Sequence, residues 1–135
     1  MPLKKMEHYL VLTDDIDVTR DFYCDVLGMK VGFRPPLEFP GYWVYLGETP
    51  CIHIAEWETY TAHSNRLGIP VSSKAPGTGP VDHIAFNGTD YEAMYEILQS
   101  RGMEMALNHA PDAGLRQIFL ADPNGVKIEL NFMSS

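Results

Sequence analysis

A β-strand running into a capped helix that ends on glycine occurs twice in this chain, and that repetition limits the fold more than any other feature. The first copy opens with residues 7–13 (EHYLVLT), β-branched and aromatic side chains that stop at Asp14 and Asp15, residues suited to capping a helix. Over residues 15–27, Ile16, Thr19, Phe22, Tyr23, Val26 and Leu27 recur at spacings of three and four, and Gly28 closes the predicted helix. Strands are predicted over 29–34, 42–46 and 51–57, broken by Pro35-Pro36 and by residues 47–50. The second copy begins with a strand over 81–87 and a helix over 89–101 ended by Gly102. Thr89 with Glu92 fits a capping box there, and Met94, Ile97 and Leu98 supply the apolar stripe. Strands over 103–108, 115–120 and 126–132 follow, with Asp122-Pro123-Asn124-Gly125 turning the last hairpin. Each half therefore reads βαβββ, which makes the chain α+β.

Spacing supports the repeat. His8 to Gly28 is 20 residues (28 − 8) and His83 to Gly102 is 19 (102 − 83), while His8 to His53 is 45 (53 − 8) and His83 to Glu129 is 46 (129 − 83). At 135 residues the chain is expected to be a single domain of two pseudo-repeat modules, about 6–57 and 81–132. Residues 68–80, rich in Gly, Pro and Ser, join them, and 58–67 suit a short helical connector. A module of roughly 55 residues is marginal by itself, so the two are expected to depend on one another.

Composition narrows the function. Hydrophobic residues at 45% and charged residues at 21% supply a core and exclude wholesale disorder. A net charge of −8 repels phosphate backbones and anionic lipid, so neither nucleic acid nor membrane is an expected partner. Cys24 and Cys51 lack CxxC spacing and read as free, packed thiols. The basic first five residues lead into Glu7 and His8 instead of an apolar signal core, so the cytoplasm is the expected location.

The chemistry-bearing residues follow the repeat. His8 and His83 lie on the opening strands, and His53 and Glu129 on the closing ones. Residues of one parity along a strand share a face, so Ile128, Leu130 and Phe132 are expected to pack beneath the helices while Glu129 turns the other way. Imidazole and carboxylate donors suit one divalent ion, Fe, Zn, Ni, Mn or Co. Leu10, Leu12, Ala55, Trp57, Ala85 and Asn87 are expected on the ligand-bearing face, as are Gln117, Phe119, Lys127 and Asn131. Trp57, Arg116, Phe119 and Asn131 are candidates to touch a small-molecule substrate.

His8 on the opening strand, FYCDVLGM at 22–29, Asp82-His83, and FLADPNGVKIEL at 119–130 together resemble the vicinal oxygen chelate superfamily, which includes glyoxalase I, bleomycin and fosfomycin resistance proteins and extradiol dioxygenases. The resemblance covers about residues 6–132. It implies a cupped mixed sheet around a central cavity, and homodimers, which are frequent in the superfamily. It also implies His8, His83 and Glu129 as the metal triad, with His53 in a variable fourth position as a ligand or proton carrier. Glyoxalase I typically has a glutamate there, which counts against a straightforward member of that type. Phe119 stands where extradiol dioxygenases generally carry a tyrosine, and a phenyl ring has no hydroxyl to donate. His109 is then the alternative source of a proton, with Glu129 and His53 the other candidate catalytic groups, and Arg116 is placed to bind a substrate carboxylate. The implied function is that of a metal-dependent lyase or isomerase, similar to lactoylglutathione lyase, acting on a small substrate chelated through vicinal oxygens. Alternatives are a non-haem Fe(II) dioxygenase for a catechol-like aromatic and a metal-free drug-binding module of the bleomycin-resistance type.

Overall fold

The structure, a computed structural model, describes residues 2–134 and divides into two compact units, one running to Ala75 and one beginning at Pro76. In the first unit, β1 (Tyr9–Thr13), β2 (Lys30–Val31), β3 (Gly41–Leu46) and β4 (Thr49–Glu56) form a sheet in the order β1-β4-β3-β2. In the second, β5 (Ile84–Gly88), β6 (Ala106–Ala110), β7 (Leu115–Ala121) and β8 (Lys127–Met133) form another in the order β5-β8-β7-β6. The opening strand runs parallel to the closing strand in both sheets, and the remaining pairs are antiparallel. The two units thus share one topology, as the repeated strand and helix pattern requires.

Alternation divides each sheet into an apolar face and a polar one. Val11, Thr13, Val44, Ile52 and Ile54 are buried in the first unit beside Phe22, Tyr23 and Val26 from the helical segment. Ile84, Ile118, Leu120, Ile128, Leu130 and Phe132 are buried in the second, with Leu98 from its helix. Each fully buried Ile or Leu contributes roughly 1.5–3 kcal/mol through removal from water. These contacts fix the register, because a slip by one residue would turn His53 and Glu129 into the core.

The first helical segment departs from the expected continuous helix. It comprises α1 (Ile16–Asp21), capped by the Asp15 side chain, followed by a π-type turn over Phe22–Val26. Both halves place the cap seven residues after the opening histidine (15 − 8; 90 − 83), but the closing glycine follows the cap by 13 residues (28 − 15) in the first and 12 (102 − 90) in the second. The widened turn absorbs the additional residue. Met29 N–H consequently reaches back six residues to Tyr23, whereas Met103 N–H reaches back five to Leu98.

Other boundaries also differ from expectation. Asp90, and not Thr89, caps α3 (Tyr91–Ser100), its carboxylate accepting from Ala93 N–H, while Glu92 pairs with Arg116 instead of closing a capping box. The strand expected over 51–57 ends at Glu56, so Trp57 opens α2 (Trp57–Leu67). The sixth strand starts later than expected, at Ala106, and a 3-10 turn over Pro111–Ala113 links it to β7. Cys24 and Cys51 are free, and burial pushes both thiols up. Among the described residues no helix is long and apolar enough to cross a membrane.

Candidate functional site

The register places the proposed ligands at equivalent points of the two sheets. His53 pairs with Leu10 on one side and Trp43 on the other. Glu129 pairs with Ala85 and Phe119. Leu10 and Ala85 each follow the opening histidine by two positions, so His8 with His53 and His83 with Glu129 form corresponding pairs despite the unequal spacing.

The pairs are held by different forces. In the first unit the His8 and His53 rings stack at 3.7 Å between centroids and 11° between planes, and Trp43 covers the other face of His53 at 4.0 Å and 11°. Burial, then the neighbouring charge of His8, pushes the His53 pKa down to about 4, so its imidazole is neutral at physiological pH and retains a lone pair. In the second unit His83 Nε2 lies 3.7 Å from Glu129 Oε1. That exceeds a hydrogen bond and also the roughly 3.0–3.4 Å separating adjacent donors around an ion with bonds of about 2.1 Å, so the two side chains would close slightly to share one.

A repeated device orients the two opening histidines. Glu7 Oε1 lies 2.9 Å from His8 Nδ1, and Asp82 Oδ2 lies 2.7 Å from His83 Nδ1. A carboxylate accepting from Nδ1–H leaves Nε2 as the lone-pair nitrogen, the tautomer an outward-facing ligand needs. Asp82 also receives Lys127 Nζ at 3.0 and 3.1 Å, and these hydrogen bonds, from His83 first and Lys127 second, hold its carboxyl below the usual range. The structure therefore pairs His8 with His53 in the first unit and His83 with Glu129 in the second, and no group of three or more possible His, Cys, Asp or Glu metal ligands occurs among the described residues.

Comparison with known proteins bears on this arrangement. Residues 5–130 match the model of the Glyoxalase/Bleomycin resistance protein/Dioxygenase superfamily. The chain belongs to that superfamily. Its solved structural relatives differ in use. A lactoylglutathione lyase from Agrobacterium tumefaciens is 18% identical, with 97% of this chain and 95% of that one covered at a TM-score of 0.71. A fosfomycin resistance protein from Listeria monocytogenes, complexed with Mn(II) and 1S,2S-dihydroxypropylphosphonic acid, is 16% identical over 98% and 94% at 0.71. An antibiotic-binding protein from Streptomyces sp. is 19% identical over 99% of both chains at 0.68. No curated protein sequence matches. Membership thus establishes the glyoxalase/dioxygenase-like fold, and identities this low leave the reaction to the residues.

The remaining candidates separate by face. Phe119 and Asn131 share the face of Glu129, Phe119 directly across from it and Asn131 two positions along β8. Arg116 lies on the opposite parity, its guanidinium 4.1 Å over the Tyr91 ring and Nη1 donating to Glu92 at 2.7 Å, so α3 already holds the fork expected for a substrate carboxylate. His109 pairs in register with Arg116 and shares its parity, so neither stands beside Glu129. Trp57 leaves the ligand-bearing face because the strand ends before it. Sequence reasoning missed the Trp43 cover on His53, which depends on register, and the Nδ1 partners, whose signal was an acid immediately before each opening histidine.

Proposed function

We propose that this chain is a divalent-metal enzyme of the lyase or isomerase kind, with His8, His53, His83 and Glu129 serving one ion and a small substrate offering two neighbouring oxygens. The equivalent register of His53 and Glu129 carries this reading, because chance would seldom place metal-binding side chains at matching points of both sheets. The donor set of imidazoles and a carboxylate fits Fe, Zn, Ni, Mn or Co. When bound, such an ion would supply Lewis-acid stabilisation of an enolate-like oxyanion. Glu7 and Asp82 fix the nitrogens that His8 and His83 present, neutral His53 supplies a third imidazole, and Glu129 adds the single charge. Phe119, without a hydroxyl, favours proton transfer over ring cleavage by dioxygen.

The test is elemental analysis of chelator-free protein, followed by assay of a hemithioacetal for isomerisation and of catechols for oxygen uptake. About one equivalent of metal with isomerisation supports the proposal, whereas oxygen uptake on iron would replace it with the dioxygenase. A second reading rests on the Trp43–His53–His8 stack, an aromatic surface suited to a planar drug. Metal-free protein that binds such a compound tightly would favour sequestration.

A further inference from the structure

Glu129 stands at the end of a hydrogen-bonded row that crosses three strands. Asn108 on β6, Gln117 on β7 and Asn131 on β8 occupy one register line. Asn108 Nδ2 donates to Gln117 Oε1 at 2.8 Å, Gln117 Nε2 donates to Asn131 Oδ1 at 2.9 Å, and Asn131 Nδ2 donates to Glu129 Oε2 at 2.9 Å. The direction of the row has a chemical cause. An ionised carboxylate only accepts, so Asn131 must turn its NH₂ toward Glu129 and its oxygen toward Gln117. Gln117 must then donate to Asn131, which in turn requires Asn108 to donate to Gln117. Reversing any one amide would set oxygen against oxygen or NH₂ against NH₂. On the other side, Asn87 Nδ2 donates to the Asn131 backbone carbonyl at 3.3 Å, tying the same line to β5.

We infer that Gln117 and Asn131 are positioning residues for Glu129, holding Oε2 so that Oε1 alone is presented on the side of His83 as a single-oxygen donor. This rests on the metal reading above for its purpose, although the row itself is independent of any ion. An Oε2 already accepting from Asn131 resists the rotation that would offer both oxygens, and Gln117 acts at one remove by fixing which end of the Asn131 amide faces the carboxylate. Ordinary cross-strand packing would require neither the common direction nor termination on an acceptor-only group.

The experiment uses the full chain labelled with ¹⁵N. Glu129→Gln removes the acceptor-only end, so the side-chain amide signals of Asn131, Gln117 and Asn108 should shift by amounts that diminish in that order. In a Gln117→Leu background the Asn108 signal should no longer respond to Glu129→Gln. Unmoved Gln117 and Asn108 signals, or an Asn108 response that survives the loss of Gln117, would overturn the row as a connected unit. Zinc titration is the second arm. Asn131→Leu should weaken Zn²⁺ binding about 10–100-fold and Gln117→Leu by less, with backbone amide spectra preserved. Unchanged affinity in Asn131→Leu would overturn the positioning role. Wild-type protein that binds no Zn²⁺ or other divalent ion would instead overturn the proposed function, and the amide signals would still decide the row.

Discussion

The rung beside the ligand pair differs completely between the two halves. In the first it consists of Leu12, Ala55 and Gly41, and in the second of Asn87, Asn131 and Gln117, at corresponding register positions. The donors they flank explain the difference. Neutral His53 needs contact surface, which His8 and Trp43 provide from either side. The carboxylate oxygens of Glu129, whose side chain is 15% exposed, need donors, which the amide row provides. One backbone plan thus holds an imidazole and a carboxylate by separate physical means.

The comparison breaks most visibly if the two pairs are not both ligands. His83→Ala and Glu129→Ala are expected to abolish metal retention, as read by elemental analysis after gel filtration, while His53→Ala lowers it less because three donors remain. Full occupancy in either of the first two variants would leave the second pair without a metal role. Next in size are the cores under the two sheets. Ile52→Ala and Ile128→Ala, at fully buried and register-equivalent sites, should each cost about 2–5 kcal/mol in urea unfolding. A clearly smaller cost for one would show that the halves are not equally packed.

The pH dependence sharpens the contrast further. His53 has its folded pKa lowered from 6.5 to about 4, so in metal-free protein the unfolded chain takes up that proton first as pH falls. Its contribution should leave stability level above about pH 7 and lower it progressively between 6.5 and 4. The urea midpoint of wild type should therefore drop more from pH 7 to pH 4.5 than that of His53→Gln, and NMR titration should show His8→Ala raising the His53 pKa. A His53 titrating near 6.5 would contradict the half-buried position of its ring between His8 and Trp43. The smallest effects belong to the shared caps: Asp15→Ala and Asp90→Ala should each cost about 1 kcal/mol, and Thr89→Ala close to none, by thermal melting.

Much of the scaffold was legible because it follows from local rules. Alternation placed Ile128, Leu130 and Phe132 in the core and turned Glu129 away from it, and spacings that agree to within one residue paired His8 with His83. The cap at Asp90 was misjudged because Thr89 and Glu92 satisfy the same pattern one position earlier, and only the competing ion pair with Arg116 shows that Glu92 is engaged elsewhere. Arg116 is expected on a substrate carboxylate and His109 as a proton source, but their face is set by register, which a single sequence constrains poorly where a strand carries few apolar residues. The amide row was out of reach for the same reason, since Asn108, Gln117 and Asn131 become neighbours only after three strands pair.

The π-type turn at Phe22–Val26 lets one helical segment carry a residue more than its counterpart while Asp15 and Gly28 still punctuate its two ends as Asp90 and Gly102 do in the second half. Such a swelling works as an expansion joint: an insertion is taken up where it occurs and is not passed on to the strands that follow. An overlay of the halves residue for residue needs gaps of both signs, since Gly28 to His53 is 25 residues (53 − 28) and Gly102 to Glu129 is 27 (129 − 102), so the duplicated ancestry of such a chain is easier to see in its hydrogen-bond ladders than in its letters.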